Sequence, residues 1–140
     1  MQPTTKNQTT PLMLAAGTGS DETVFFLLSL GANPDKTNGE GDTALIYAIE
    51  SRCITTINLL VPVTQVDLGG AIGYLAKDQV QLTTEVLRQL LERAAQDKEA
   101  AIEGLIGAGK FGSNRIIKMF AENMSDRSIF IGPRSDHSLP

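Results

Sequence analysis

One unit of sequence occurs twice in this chain, and the second copy follows the first by 33 residues. T-P-L-M-L-A-A (residues 10–16) aligns with T-A-L-I-Y-A-I (residues 43–49), so that Thr10 falls on Thr43, Leu12 on Leu45 and Ala15 on Ala48. Each copy holds two short apolar segments: residues 12–16 and 24–30 in the first, 45–49 and 57–61 in the second. Neither pair of segments can bury its apolar side alone. Stacked units cover one another, so a chain with no Trp and only two Tyr can still build a continuous core from small aliphatic side chains.

Local signals divide the units. Gly17 and Gly19 fall where one helix must reverse into the next, Gly31 follows the second apolar segment where a left-handed cap is wanted, and Gly41 precedes the second Thr in a tip that needs positive φ. Ser20, followed by Asp21 and Glu22, reads as the N-cap and acidic first turn of a helix. The stretch G-A-N-P-D-K-T-N-G-E-G-D-T-A-L (residues 31–45) joins the copies.

With that spacing, the Gly-Ala corner, the extended tip and the Asn/Asp-x-x-Gly-x-Thr entry, residues 10–67 resemble the ankyrin-repeat family. The resemblance implies an all-α solenoid of about four helix-turn-helix units with short hairpin connectors. It also implies a non-catalytic module that binds a partner protein through hairpin tips and the concave helix face. Carried over by position, the contact residues are Lys36, Thr37, Asn38, Glu40 and Asp42 on the tip, with Tyr47, Glu50 and Ser51 on or after the helix that follows; Arg52 is a weaker candidate. Met13 and Ile46 stand where the family often has His. Phe25 replaces the family's usual polar residue, and its expected role is to cover the open side of the first unit, ahead of anchoring a partner.

Beyond residue 67 the pattern decays. Leu68-Gly69-Gly70 runs directly into residues 71–76, whose last three resemble Ile46-Tyr47-Ala48, so the third unit is expected to lack its hairpin. Thr83 or Thr84 can cap a longer helix with Val86, Leu87, Leu90, Leu91 and Ala94 on one side. Asp97 can cap a segment with Ala101, Ile102, Leu105 and Ile106 on one face, and Ser113 another with Ile116, Ile117, Phe120, Ala121 and Met124. The expected division is an extension over residues 1–9, repeats over 10–42, 43–67, 68–96 and 97–124, and a tail over 125–140. Decay toward one end suits a terminal cap.

Residues 104–112 (G-L-I-G-A-G-K-F-G) contain the start of a P-loop and a G-x-G-x-x-G dinucleotide fingerprint. Phe111 stands where a P-loop needs Ser or Thr for Mg²⁺, and the preceding K-E-A-A-I-E forms a helix where both motifs need a strand. The expected structure is a glycine-rich turn between two helices, with a nucleotide-binding regulator or enzyme as the alternative and a structural or inhibitory subunit as a third reading. His137, the single histidine, lies in a polar tail, and Cys53 has no histidine near it in sequence, so no catalytic constellation, metal site or cofactor is expected.

A formal charge of −4 and a pI near 4.9 disfavour nucleic acid as a partner. No apolar run approaches the roughly 20 residues of a membrane span, and the polar start has no signal-peptide core. With a lone cysteine, the expected setting is the cytoplasm, the nucleus remaining open, and the expected state a monomer or a subunit of a hetero-complex. Ile129, Phe130 and Ile131 form an apolar patch expected to fold back on the last helix.

Overall fold

Thr10 and Thr43 open equivalent helices by the same local bond. In a computed structural model that describes residues 8–123, each Thr holds an extended backbone, and its Oγ1 accepts the N–H three residues on: Met13 at 3.2 Å and Ile46 at 3.5 Å. Pro11 at the first helical position lacks the N–H that would be unpaired there. The resulting helix, α1 (Pro11–Thr18), ends at Gly19, whose φ of 73° lets the chain turn back. Gly17 lies inside α1, where its bare Cα faces the Tyr47 ring.

Seven more helices follow: α2 (Asp21–Ser29), α3 (Ala44–Glu50), α4 (Ile54–Leu60), α5 (Leu68–Asp78), α6 (Thr84–Ala95), α7 (Lys98–Lys110) and α8 (Asn114–Asn123). No strand occurs among the described residues. The helices pack as four antiparallel-type pairs in two rows: α1 lies on α3, α3 on α5 and α5 on α7, while α2 meets α4 and α6 meets α8 in the second row. Leu12, Leu45, Ile57, Leu60, Ile72, Leu90, Leu91 and Phe120 are fully enclosed between units. Leu27 is only half-buried, because the outer helix of the first unit has α4 on one side and nothing described on the other.

Thr83 caps α6 by accepting from Val86 N, and Asp97 caps α7 by accepting from Glu99 N. Ser20 stands at the cap position of α2, but its hydroxyl pairs with Thr18 Oγ1 at 3.1 Å and makes no cap bond. The third unit has no hairpin. Arg93 of α6 fills that gap by donating both guanidinium arms to the carbonyls of Val61 and Thr64 at the end of α4.

The glycines of residues 104–112 correct the expected turn. Gly104, Gly107 and Gly109 lie inside α7, and the turn comes later, at Phe111-Gly112, where Gly112 has φ 71°. These glycines serve a helix crossing. A Cβ on Gly107 would lie 2.6 Å from Gly73 Cα of α5, one on Gly104 would meet Ile72 at 3.2 Å, and one on Gly69 would meet Ala100 O at 2.6 Å. The buried stripe of α7 is therefore Ala101, Gly104 and Ala108, and Ile106, expected on the apolar face, is 63 % exposed. Closeness of approach selects that stripe, not side-chain size. On α8, Ile116, Met119 and Phe120 are buried. Met124, the Ile129-Phe130-Ile131 patch and His137 lie outside the described residues.

Candidate functional site

The connector between the first two units is organised by one buried amide. Asn38 is 5 % exposed. Its Oδ1 accepts from Glu40 N at 2.9 Å and Asp42 N at 3.0 Å, and its Nδ2 donates to Tyr47 Oη at 2.8 Å. Gly41 closes the tip with φ 83°. These bonds fix the tip against α3, so Glu40 and Asp42 project from a rigid turn. Asp35, earlier in the connector, accepts from Gln65 N at 2.6 Å and Val66 N at 3.3 Å, tying this connector to the next.

Among the residues singled out from sequence, Lys36, Thr37, Glu40 and Glu50 are exposed, Asp42 and Tyr47 are half-buried, and all lie on the tip or on α3. Asn38 is buried with its amide turned inward, whereas Ser51 is exposed at the C-cap of α3. The Ser51 hydroxyl donates toward Tyr47 O at 3.0 Å and reaches Ala16 O of the first unit at 3.4 Å, bridging two repeats. Arg52 is exposed in the turn after α3 with φ 60°. Cys53 is half-buried, its Sγ packed where Gly19 lacks a side chain.

Burial and like charges act together on the acidic groups of this face. Burial, reinforced by Glu40, pushes the Asp42 carboxyl above its ordinary range; Glu50 is pushed up by burial and by Asp42, Asp78 and Glu40, against the opposing pull of Lys77. At Asp67, just before α5, burial, Glu103 and Asp42 raise the carboxyl against the lowering effect of the Gly70 N–H. Tyr74 is raised by burial and then by Asp42, Glu50, Asp67 and Glu40. These groups feel one another across α3 and α5, so the tip and the first-row helices share one field.

Sequence reasoning stopped at α3 and missed Tyr74, Asp67 and Glu103. A signal existed. The burial pattern sets Tyr74 beside Tyr47 in role, both half-buried and each followed by two buried residues and an exposed charge, whereas the sequence alignment set Tyr74 on Ile46. Phe25, expected to cover the first unit, is 65 % exposed, and Phe26, Leu30 and Leu14 are exposed near it in sequence.

The stacked pairs, the Thr-opened helices and the pinned connector agree with a comparison against family models, in which residues 1–69 match the model described as ankyrin repeats (3 copies). The chain is an ankyrin-repeat protein. No curated protein matches it in sequence. Ankyrin repeats are generally modules of protein–protein interaction and are generally non-enzymatic. The match ends in the first turn of α5, and the helix pairs of residues 70–123 continue the stack beyond it. Among the described residues no helix is long and apolar enough to cross a membrane, and no group of three or more His, Cys, Asp or Glu is placed to hold a metal ion.

Proposed function

We propose that this ankyrin-repeat protein is a non-catalytic interaction module that holds a partner protein against its connector tip and first-row helix face. Lys36, Thr37, Glu40, Asp42, Tyr47 and Glu50 are the proposed contacts, with Asn38 and Ser51 holding that surface in shape. The connector tip carries this reading: Asn38 pins it to Tyr47 of α3, so Glu40 and Asp42 are presented on a rigid turn that a partner can meet without first ordering it. The lone Cys53 and the acidic balance support a cytoplasmic setting and disfavour nucleic acid. The repeats are taken as residues 10–42, 43–67, 68–96 and 97–124.

Capture on the immobilised full chain followed by mass spectrometry supplies a partner, and binding kinetics then test the face. Glu50→Lys and Glu40→Lys should slow association and change its salt dependence, while Tyr47→Ala should cost roughly 1 to 3 kcal/mol if the ring is a hot spot. Tyr47→Phe separates the ring from its bond to Asn38. Unchanged circular dichroism keeps lost binding distinct from lost folding. Wild-type affinity and kinetics in all four variants would place the functional surface elsewhere, with exposed Phe25 and Phe26 next to be tested.

A further inference from the structure

Helices α1 and α2 end the stack on one side, and that end is apolar. In the second unit, Tyr47 of α3 lies against Gly17 of α1, the Thr56 hydroxyl of α4 donates to Asp21 of α2 at 3.4 Å, and Leu60, one turn on from Thr56, is fully buried, so these three places look toward the unit before. Their counterparts 33 residues earlier are Leu14, Thr23 and Leu27, and no described unit covers them: Leu14 is 52 % exposed, Thr23 is exposed and Leu27 is half-buried. Phe26 and Leu30, 61 % and 68 % exposed, extend the same side of α2, since at about 100° per residue they lie roughly 140 to 180° round the helix from Asp21. The far end of the stack is different. There the exposed stripe of α8 is Asn114, Lys118 and Glu122, the polar surface that a terminal unit needs.

We propose that the α1–α2 end is a dimer interface, closed by the same end of a second copy of this chain. None of Leu14, Thr23, Phe26, Leu27 and Leu30 is charged, so two copies that each carry a net −4 can meet there without setting like charges in contact. Head-to-tail stacking would instead bury Lys118 and Glu122 under Phe26 and Leu30, stripping both charges of water. A two-fold contact closes both open ends at once and leaves none free, which limits the assembly to two. Phe26, Leu14 and Leu30 leave on the order of 300 Å² of apolar surface open per copy, the scale at which patches on soluble chains are often functional. Two such patches with their rims make an interface at the small end of the specific range, where association is reversible. The first seven residues, M-Q-P-T-T-K-N, bring one large apolar side chain, Met1, which is too little to cover this end. Glu40 and Asp42 are pinned to α3 outside the interface, so each dimer carries two connector tips.

Sedimentation equilibrium on the full chain, from about 5 to 500 µM, should show a mass rising toward twice 15.0 kDa. In the ¹⁵N-labelled chain the amide signals of Leu14, Thr23, Phe26 and Leu30 should move with concentration while those of Lys118 and Glu122 stay. Phe26→Glu and Leu30→Glu, both at exposed positions, should each raise the dissociation constant about tenfold or more, because a two-fold contact meets the new charge twice. Phe25→Ser is the control: Phe25 is also exposed but lies only about 40° round α2 from Asp21, so its loss should change the constant by less than about twofold. The dimer should hold from about 50 to 500 mM NaCl, since its contact is apolar and salt screens only the repulsion between the copies. A mass of 15.0 kDa throughout would overturn the proposal. So would a dimer indifferent to Phe26→Glu and Leu30→Glu, or concentration-dependent shifts confined to α8 or to residues 36–50. Nuclear Overhauser contacts from residues 1–7 or 129–131 to the Phe26 ring within a monomer would assign this end to the chain's own terminal segments, and would equally overturn it.

Discussion

Gly107→Ala should lower the stability of the chain even though alanine is the better helix former. Replacing a glycine inside a helix with alanine is worth about 0.8 to 1 kcal/mol from propensity alone. Against that gain, the new Cβ would lie 2.6 Å from Gly73 Cα, 3.5 Å from its N and 3.7 Å from its C, and all three are backbone atoms that cannot swing aside. Carbon atoms pack at about 3.5 to 4.0 Å, so α7 must retreat by roughly 1 Å, and a gap of that size forfeits about half of the dispersion attraction across it. The retreat also loosens Gly104 from Ile72 and Gly69 from Ala100. Overpacking of this kind costs about 1 to 3 kcal/mol, and α5–α7 is the most extensive helix contact in the fold. The net loss is up to about 2 kcal/mol, and at about 3 to 5 °C per kcal/mol for a domain of this size the melting temperature should fall by up to about 10 °C.

Two neighbouring substitutions make the assay decisive. Gly109 has nothing within 4 Å of its notional Cβ, and a Cβ on Gly73 would have Gly107 Cα at 3.9 Å, an ordinary contact. Gly109→Ala and Gly73→Ala should therefore hold or raise the melting temperature, by up to about 1 kcal/mol of stability each. The asymmetry between Gly73 and Gly107, which face each other, follows only from the directions of their Cα–Cβ bonds. Scanning calorimetry on the three variants reads it directly. A Gly107→Ala protein that melts at or above the wild-type temperature would refute the close crossing.

Leu45, fully enclosed between the first and third units, should cost about 2 to 5 kcal/mol on truncation to Ala in urea unfolding, and a cost under about 1 kcal/mol would contradict its place in the stack. Arg93→Met leaves the Val61 and Thr64 carbonyls without their donor and should cost about 1 to 3 kcal/mol; a neutral result would mean that water replaces the guanidinium without loss. Asp42, Glu50 and Asp67 hold protons more tightly folded than unfolded, so their ionisation opposes folding. Their contribution should rise as pH falls from neutrality through the folded-state values and be lost as pH rises back through them. Urea midpoints followed from pH 7 down to about 4, toward the ordinary carboxylate range, check it, with Asp42→Asn flattening the change and a rise absent from the whole window counting against it. ATP or NAD should leave the melting temperature unmoved, since the glycines that mimic their motifs sit inside α7; a dose-dependent rise lost in Lys110→Ala would reverse that reading.

What the sequence discloses here is local, and what it withholds depends on partners far along the chain. The caps Thr10, Thr43, Thr83 and Asp97 and the positive-φ Gly31 and Gly41 are legible because each does its work within four residues or fewer, or within its own turn. Gly104, Gly107 and Gly109 read as a turn because glycine weakens a helix, and the reason for tolerating that weakness lies on α5, with Gly73 opposite Gly107. Asn38 and Ser51 resemble contact residues by position, yet their bonds reach Tyr47 and Ala16, a commitment that composition cannot display. Tyr74 was hidden by a one-residue register difference in a unit that has lost its hairpin.

The loss of that hairpin and the acquisition of the glycine crossing bear on the same problem. A full connector such as residues 31–43 spaces neighbouring units and covers the ends of their helices. With only residues 61–67 between α4 and α5, the exposed carbonyls of Val61 and Thr64 have to be met from elsewhere, and Arg93 reaches back from α6 to do so. Asp35 reaches forward from the first connector to Gln65 N and Val66 N and secures the same short segment from the other side. The third unit is thus held by charged side chains at its entrance and by main-chain contact at Gly73 and Gly107 along its length. A crossing made of backbone cannot fill the face above it with side chains, so the device that holds the divergent units together also leaves the glycine backbone of α5 and α7 uncovered beside Tyr74.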